Sequence, residues 1–314
     1  RTVREDDAYA NLVLSGLLRR HRVSGRDAAF TTELFYGSLR AQGRLDAIIA
    51  ACVDRDLRDI EPGLLDVMRL GAYQLLDMSV APHAATSETV ALARQEVGAG
   101  AASFANAVLR RIGERTLPEW IEQVAPDRET DLVGHLSVVH SHPAWVVRAL
   151  SDALAGHGRD RSEIDELLAA QNAAPAVSLV MRPGLTDLDE LIEHGAGEAA
   201  WSVFGASWPS GDPGGIGPVR QGRAAVQDEG SQLAALALAL GADDLVRAQD
   251  DHWLDLCAGP GGKTALLGGL TVGHDAELLA VEQQPHRTEL VDRSVAALQE
   301  AGCESFAVSC AREG

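Results

Sequence analysis

Residues 252–264, His-Trp-Leu-Asp-Leu-Cys-Ala-Gly-Pro-Gly-Gly-Lys-Thr, hold the residue types best suited to binding chemistry. The pattern predicts a short buried strand over Trp253–Cys257, a tight turn over Ala258–Gly262 and a helix from Lys263 onward. Strand, glycine turn and helix together cradle a nucleotide-like ligand. Gly259, Gly261 and Gly262 let the backbone turn sharply and bring its N–H groups close, and the helix N-terminus adds further donors. Pro260 narrows the conformations of the turn, which suits a preformed site. A phosphate-binding P-loop requires Gly, four residues, then Gly-Lys-Ser/Thr, and counting back from Gly262-Lys263-Thr264 puts Cys257 where that first glycine belongs. A P-loop nucleotidase also needs a strand ending in a Walker-B-like aspartate, and none follows.

Glu282 is the second informative residue. A strand over Glu277–Val281 ends at it, 23 positions after Gly259. At about this separation an acidic residue accepts both ribose hydroxyls of a dinucleotide or adenosyl ligand. Pro285 suits the first turn of a helix reaching Leu298, with Leu290, Val291, Val295 and Leu298 on one face, and Gly302 stops it. A third strand is expected over Ser305–Cys310. Such β–turn–α–β–α–β alternation gives a parallel, doubly wound sheet with the ligand at the carboxyl ends of its strands. Upstream, Gln227-Asp228-Glu229-Gly230-Ser231-Gln232 precedes an apolar helix, and Asp228 is placed to cap it.

Length and composition bound what these elements can belong to. With 314 residues, 46% of them hydrophobic, the chain can build two or three cores. No run of about 18 apolar residues suggests a membrane span. The opening Arg-Thr-Val-Arg-Glu-Asp-Asp lacks the apolar core of a secretion signal, and a start without Met predicts a missing leader. Cys52, Cys257, Cys303 and Cys310 form no Cys-x-x-Cys pair, so a reducing cytoplasm is the simplest location. His135, His140, His142 and His157 are too irregularly spaced for a metal set, and no metal is expected.

Charge is uneven. Residues 1–118 carry 15 Arg against 15 Asp and Glu, whereas residues 119–314 carry 12 basic against 31 acidic residues and supply the whole net charge of −19. The total argues against RNA binding by bulk attraction and leaves room for local patches. Lys263 is the one lysine among 27 basic residues.

The elements that must position the cofactor turn fall into three expected domains, 1–118, 119–222 and 223–314. The first is helical throughout, with helices fitting Ala8–Arg20, Asp27–Arg40, Leu45–Asp54, Leu64–Met78, Ala84–Glu96 and Ala101–Arg111. Glu61-Pro62-Gly63 and Ala81-Pro82-His83 break them. Tyr73, Leu75 and Leu76 fall on an apolar face and read as core. Arg19, Arg20 and Arg22, at a helix end, are RNA-contact candidates, although cations there also suit the helix dipole. In the middle domain, Trp120-Ile121 begins a connecting segment, helices fit Leu132–His140, Pro143–Leu150 and Ile164–Asn172, and Ala176–Met181 reads as a strand. Residues 205–222 are rich in Gly and Pro and read as a loop.

Motifs in both halves resemble known families. Tyr36-Gly37-Ser38-Leu39-Arg40, Leu70-Gly71-Ala72-Tyr73-Gln74-Leu75-Leu76, Pro82-His83-Ala84-Ala85 with Glu88, and Phe104-Ala105-Asn106-Ala107-Val108-Leu109-Arg110-Arg111 look like the NusB-type RNA-binding fold. Ser141-His142-Pro143-Ala144-Trp145, Arg182-Pro183-Gly184, the Gln227–Gln232 phrase and Asp255–Thr264 are similar to motifs of the Fmu/Sun (NSUN) RNA cytosine-5 methyltransferases, with Pro183 replacing a more usual residue. The resemblance implies an all-α NusB-like bundle, a small α+β linker domain and an incomplete α/β Rossmann-like methyltransferase domain. It implies S-adenosylmethionine as cofactor, with Cys257, Ala258, Gly259, Pro260, Gly261, Gly262 and Lys263 along its methionine and ribose side and Glu282 beside them. It implies 16S ribosomal RNA as the partner. In that family a cysteine of a Thr-Cys-Ser motif attacks C6 of cytosine, and a Pro-Cys motif precedes it. Neither is present, so the chain is expected to be a fragment whose nucleophile lies after Gly314, with no catalytic residue of its own. Cys310 stands where the family usually has an adenine-contacting aspartate. The competing reading is a NusB-like RNA-binding or antitermination module with a non-catalytic Rossmann remnant.

Overall fold

Gly37 and Tyr73 show why two of the sequence motifs travel together. A Cβ on Gly37 would overlap the Tyr73 ring, so the glycine admits the aromatic side chain. The Tyr73 hydroxyl then donates to Glu33 Oε1 at 2.6 Å, and burial with that carboxylate pushes its pKa up to about 12. Gly71 acts likewise, because a Cβ there would come within 2.7 Å of Leu109 and 2.8 Å of Thr89. These contacts belong to a computed structural model that describes residues 2–5, 10–173, 177–209, 211–245, 252–274, 276–303 and 305–310.

The described chain is mostly helical and divides into two units, Arg1–Ala173 and Ala174–Gly314. The first holds α1 (Thr2–Glu5), α2 (Ala10–His21), α3 (Gly25–Arg40), α4 (Gln42–Ala51), α5 (Pro62–Leu76), α6 (Pro82–Glu96), α7 (Ala99–Ile112), α8 (Leu117–Val124), α9 (Leu132–Val139), α10 (Ala144–Gly156) and α11 (Ile164–Asn172). Its main core joins Leu45, Ile48, Ile49, Met68, Ala72, Leu109, Ile112 and Trp120, and a smaller cluster joins Leu136, Val147, Ile164 and Leu168. Ala8, where the first helix was expected to start, lies outside the described residues. Leu17 in α2 and Leu39 in α3 are exposed, although their helical spacing with the neighbouring apolar residues suits a buried face.

The stretch at Trp120-Ile121 is not a connecting segment. It is the helix α8, started by a capping box between Thr116 and Glu119. Trp120 is fully buried, its indole N–H donates to the Ile112 carbonyl at 2.9 Å, and the Arg115 guanidinium sits 5.0 Å from the ring centroid. The tryptophan thus closes the helical core, and the sequence-based boundary at 118/119 falls inside this helix. Ser141, at φ 57°, accepts a hydrogen bond from the Arg44 N–H at 3.1 Å, which ties the Ser-x-Pro-x-Trp phrase to α4.

The second unit contains β1 (Val177–Met181), α12 (Leu188–Glu193), β2 (Gly197–Glu198), β3 (Gly205–Trp208), α13 (Gly217–Arg220), β4 (Ala224–Val226), α14 (Glu229–Leu245), β5 (His252–Asp255), α15 (Gly262–His274), β6 (Glu277–Glu282), α16 (Pro285–Glu300) and β7 (Phe306–Cys310). Ala176, expected as the first residue of β1, lies outside the described residues. One sheet has the order β2-β3-β1-β4 and is antiparallel. The other has the order β5-β6-β7 and is parallel. In β1 the side chains alternate: Val180 joins the cluster of Leu236, Trp253, Leu266 and Leu270, while Leu179 and Met181 join Leu191, Ala206 and Ala224.

Residues 205–222 depart from the expected loop. β3 pairs with β1 from Val177↔Trp208 to Val180↔Gly205, and α13 follows. Four residues, Gly-Ala-Ser-Trp, are too short and too small to display alternation. Gly205 serves close packing, since a Cβ there would meet Ala199 at 2.7 Å. Asp228 caps as expected, its carboxylate accepting the Ser231 N–H at 3.2 Å.

Replacing Gly37 with Ala is expected to lower stability by about 1–3 kcal/mol through overpacking. In urea denaturation, the Gly37→Ala/Tyr73→Ala double variant should lose less than the sum of the two single losses.

Candidate cofactor-binding site

The turn between β5 and α15 is built by its own polar residues. Asp255, the last residue of β5, accepts the Cys257 N–H through Oδ1 at 3.2 Å. Its Oδ2 accepts the hydroxyl of fully buried Thr264 at 2.8 Å. One carboxylate therefore ties the entrance of the turn to the first turn of α15 and orders it. The Ala258 N–H donates to Val281 O at 3.1 Å and the Gly261 N–H to Ala258 O at 2.7 Å, and the Gly259–Pro260 peptide is cis. The first-turn N–H groups from Gly262 to Thr264 have no acceptor within the helix and face the turn.

Gly261 is fixed by geometry. Its φ is +107°, a region L side chains rarely adopt, and a Cβ would stand 2.6 Å from the Ser294 Cβ and 2.9 Å from the Val291 Cα. The turn therefore rests directly on α16. The Ser294 hydroxyl donates to Pro260 O at 3.0 Å.

Glu282 closes the site from the end of β6. It is 5% exposed. Its Oε2 accepts the Gly259 N–H at 3.0 Å, and its Oε1 accepts the Gln284 N–H at 2.9 Å. The Gln284 N–H, then the Gly259 N–H, then the nearby Arg287 charge, hold its pKa below the usual glutamate value. The structure thus brings together Cys257, Ala258, Gly259, Pro260, Gly261, Gly262 and Lys263 with Glu282, at the carboxyl ends of two parallel strands. Cys257 and Lys263 are exposed and Ala258 is buried.

Two neighbours complete the site, Gln227 from the phrase that the family resemblance already set near the cofactor, and Arg287, which sequence reasoning missed. Gln227 lies against Gly262, with its amide 3.6 Å from where a Cβ would stand, and its buried Oε1 has no hydrogen-bond partner. Arg287, in the first turn of α16, donates from Nη2 to Gly259 O, and its Nε lies 3.6 Å from Glu282 Oε2. A basic residue at the start of a helix is the signal that could have found it. Cys310 sits opposite Glu282 in the β6–β7 register, with its thiol toward Gln283 O at 3.8 Å.

Elsewhere, Arg19, Arg20 and Arg22 stand exposed at the end of α2 in the first unit, with Arg22 at φ 54°. The histidines engage local partners: His140 Nε2 meets Asp165 at 2.7 Å and His135 Nδ1 meets Pro126 O at 2.9 Å. Among the described residues no group of three or more His, Cys, Asp or Glu could hold a metal ion, and no helix is long and apolar enough to cross a membrane.

Comparison with known proteins bears on both units. Residues 2–114 match the NusB family, and residues 243–311 match the 16S rRNA methyltransferase RsmB/F family. A putative methyltransferase of Mycobacterium tuberculosis, Rv1407, is 48% identical over 299 residues, covering 95% of this chain and 64% of that protein. The probable ribosomal RNA small subunit methyltransferase B of Bacillus subtilis is 28% identical, covering 91% of this chain and 61% of its own length. The crystal structure of PH0851 superposes with a TM-score of 0.66 at 16% identity, over 94% of this chain and 63% of that one, a likeness of fold. The chain thus spans somewhat over three-fifths of the length of these relatives. The resemblance read from the motifs is met in the same order: a region that matches the NusB family is followed by one that matches the RsmB/F methyltransferase family.

Because the folded pKa of Glu282 is depressed, the stabilisation it gives the turn is present above the unfolded value of about 4.3 and is lost as pH falls through the folded value. Fluorescence of buried Trp253 in β5, followed during acid titration, should show a transition below pH of about 4 that Glu282→Gln removes.

Proposed function

We propose that this chain is the RNA-placing and cofactor-binding portion of an S-adenosylmethionine-dependent methyltransferase that modifies a cytosine C5 in 16S ribosomal RNA. The observation carrying this reading is the Glu282–Gly259 pair, a buried carboxylate held beside a glycine turn at the carboxyl ends of parallel strands. The proposed domain roles are RNA binding for the first, helical region, which runs on from residue 118 through α8, a linker from there to residue 222 and cofactor binding for 223–314, in a cytoplasmic protein.

The residues present fit an adenosyl ligand. Glu282 keeps lone pairs on both oxygens for two ribose hydroxyls, since each accepts one backbone N–H. Gly259 and Gly261 leave backbone where side chains would collide. The orphaned Gln227 Oε1 offers an acceptor at the turn for a donor such as an ammonium group. Cys257 to Lys263 would line the methionine and ribose side. When bound, the cofactor supplies an electrophilic methyl group. Cytosine C5 becomes nucleophilic enough to take it only after a thiolate adds at C6, and a base then removes the C5 proton as the thiolate leaves C6 and the ring double bond re-forms.

No thiol among the 314 residues suits that addition. Cys52 is buried, with burial pushing its pKa up to about 11, so it is a neutral thiol at physiological pH. The Cys303 thiol donates to Gly268 O at 3.4 Å, Cys310 faces a backbone carbonyl, and Cys257 belongs to the cofactor turn. The acidic excess beyond residue 118 leaves the neutral first region, with Arg19, Arg20 and Arg22, as the candidate RNA contact.

Isothermal titration of the 314-residue polypeptide should show binding of S-adenosylhomocysteine, weakened about tenfold or more in Glu282→Gln through loss of charge-assisted hydrogen bonds. A tritiated-methyl assay on 16S rRNA should show no turnover. Absence of binding would sink the site assignment, and turnover would sink the assignment of the nucleophile.

A further inference from the structure

Arg287 occupies an electrostatically unfavourable place. It sits in the first turn of α16, a 16-residue helix, where the helix dipole favours anions and disfavours a guanidinium. What offsets this lies across the site. Nη2 donates to the carbonyl of Gly259, and Nε stands 3.6 Å from Oε2 of Glu282. That same Oε2 accepts the N–H of Gly259 at 3.0 Å. One arginine therefore holds the carbonyl of the residue whose own N–H is held by the carboxylate that the arginine also faces, so the two peptide units on either side of the Gly259 Cα are both fixed. A Cβ on Gly259 would collide with both Glu282 and Arg287, so the three residues pack as one closed unit.

We propose that Arg287 is a positioning residue for the adenosyl ligand. It fixes the Glu282 carboxylate and the Gly259 peptide in the arrangement that receives the ribose hydroxyls, without itself meeting the ligand. This rests on the adenosyl reading of the site. Oε1 of Glu282 is directed by the Gln284 N–H, and Oε2 by Gly259 and Arg287, so each oxygen has a fixed direction for its remaining lone pair. A carboxylate held this way need not be reoriented on binding, which is the benefit of a preorganised site. Without Arg287, the Glu282 side chain keeps its backbone donors and loses the cation that sets its position on the Gly259 side. The half-exposed guanidinium would contribute little as a mere surface ion pair, so its effect should appear in ligand selectivity more than in stability.

The test compares S-adenosylhomocysteine with its 2′,3′-dideoxyribose analogue by isothermal titration on the 314-residue chain, its Arg287→Ala and Arg287→Lys variants, and Glu282→Gln. Arg287→Ala is expected to weaken the hydroxyl-bearing ligand roughly tenfold and the dideoxy analogue less than about threefold, with Lys restoring part of the loss because it keeps the charge and loses the fork. Circular dichroism melts of the two Arg287 variants should stay close to the parent. Equal weakening of both ligands by Arg287→Ala, or no weakening of either, would overturn the positioning role while leaving the site reading intact, provided Glu282→Gln still weakens S-adenosylhomocysteine. Failure of the parent chain to bind S-adenosylhomocysteine would overturn both.

Discussion

The second unit depends on a carboxylate that does not face solvent. Glu282 leaves the end of β6 and reaches back to the Gly259 N–H in the turn after β5, so two strands adjacent in the parallel sheet are joined again at their carboxyl ends. Water would solvate a free glutamate well, and burying one is unfavourable unless its oxygens are met. Here two backbone amides and a neighbouring guanidinium meet them. The turn is correspondingly short of freedom. Asp255 ties its entrance to Thr264, and Ser294 ties its middle to α16. The residues that would touch a ligand are thus held by residues that would not.

The helical unit rests on a different constraint, close approach rather than charge. Gly37 and Gly71 lie where α3, α5, α6 and α7 come nearest, and each removes a side chain so that Tyr73, Leu109 or Thr89 can enter. The motifs that mark this region to the eye, Tyr-Gly-Ser and Leu-Gly-Ala-Tyr, are therefore two sides of one contact. Their conformational cost as helical glycines is roughly 1 kcal/mol each, offset by the apolar surface their absence of side chain lets the helices bury.

Local chemistry was readable and long-range assembly less so. The glycine turn could be located because its strand, glycines and helix start lie within 13 consecutive residues, and Glu282 because it stands at the end of the next strand. Asp228 as a cap was likewise a local matter. Arg287 escaped notice because its value comes from Gly259, 28 residues earlier, and nothing in the periodicity of α16 marks it. Strand β3 escaped because Gly205 is chosen for space rather than for a turn, and α8 because Pro118 reads as a boundary although Thr116 and Glu119 form the capping box of a helix start. Gln227 was seen as part of a phrase, but its orphaned oxygen beside Gly262 is visible only in three dimensions.

Lys263 gives the site a practical property. It is the single lysine of the chain and stands exposed on the first turn of α15, at the mouth of the glycine turn. Apart from the terminal amine, the chain offers amine-selective reagents one address, and that address is the glycine turn proposed to hold the cofactor. An acylating dye, a spin label or a cross-linker applied under mild conditions becomes a site-directed probe without any engineered residue, and its protection by an added nucleoside reads occupancy directly. An arginine-rich composition has left this one lysine at the place where it informs most.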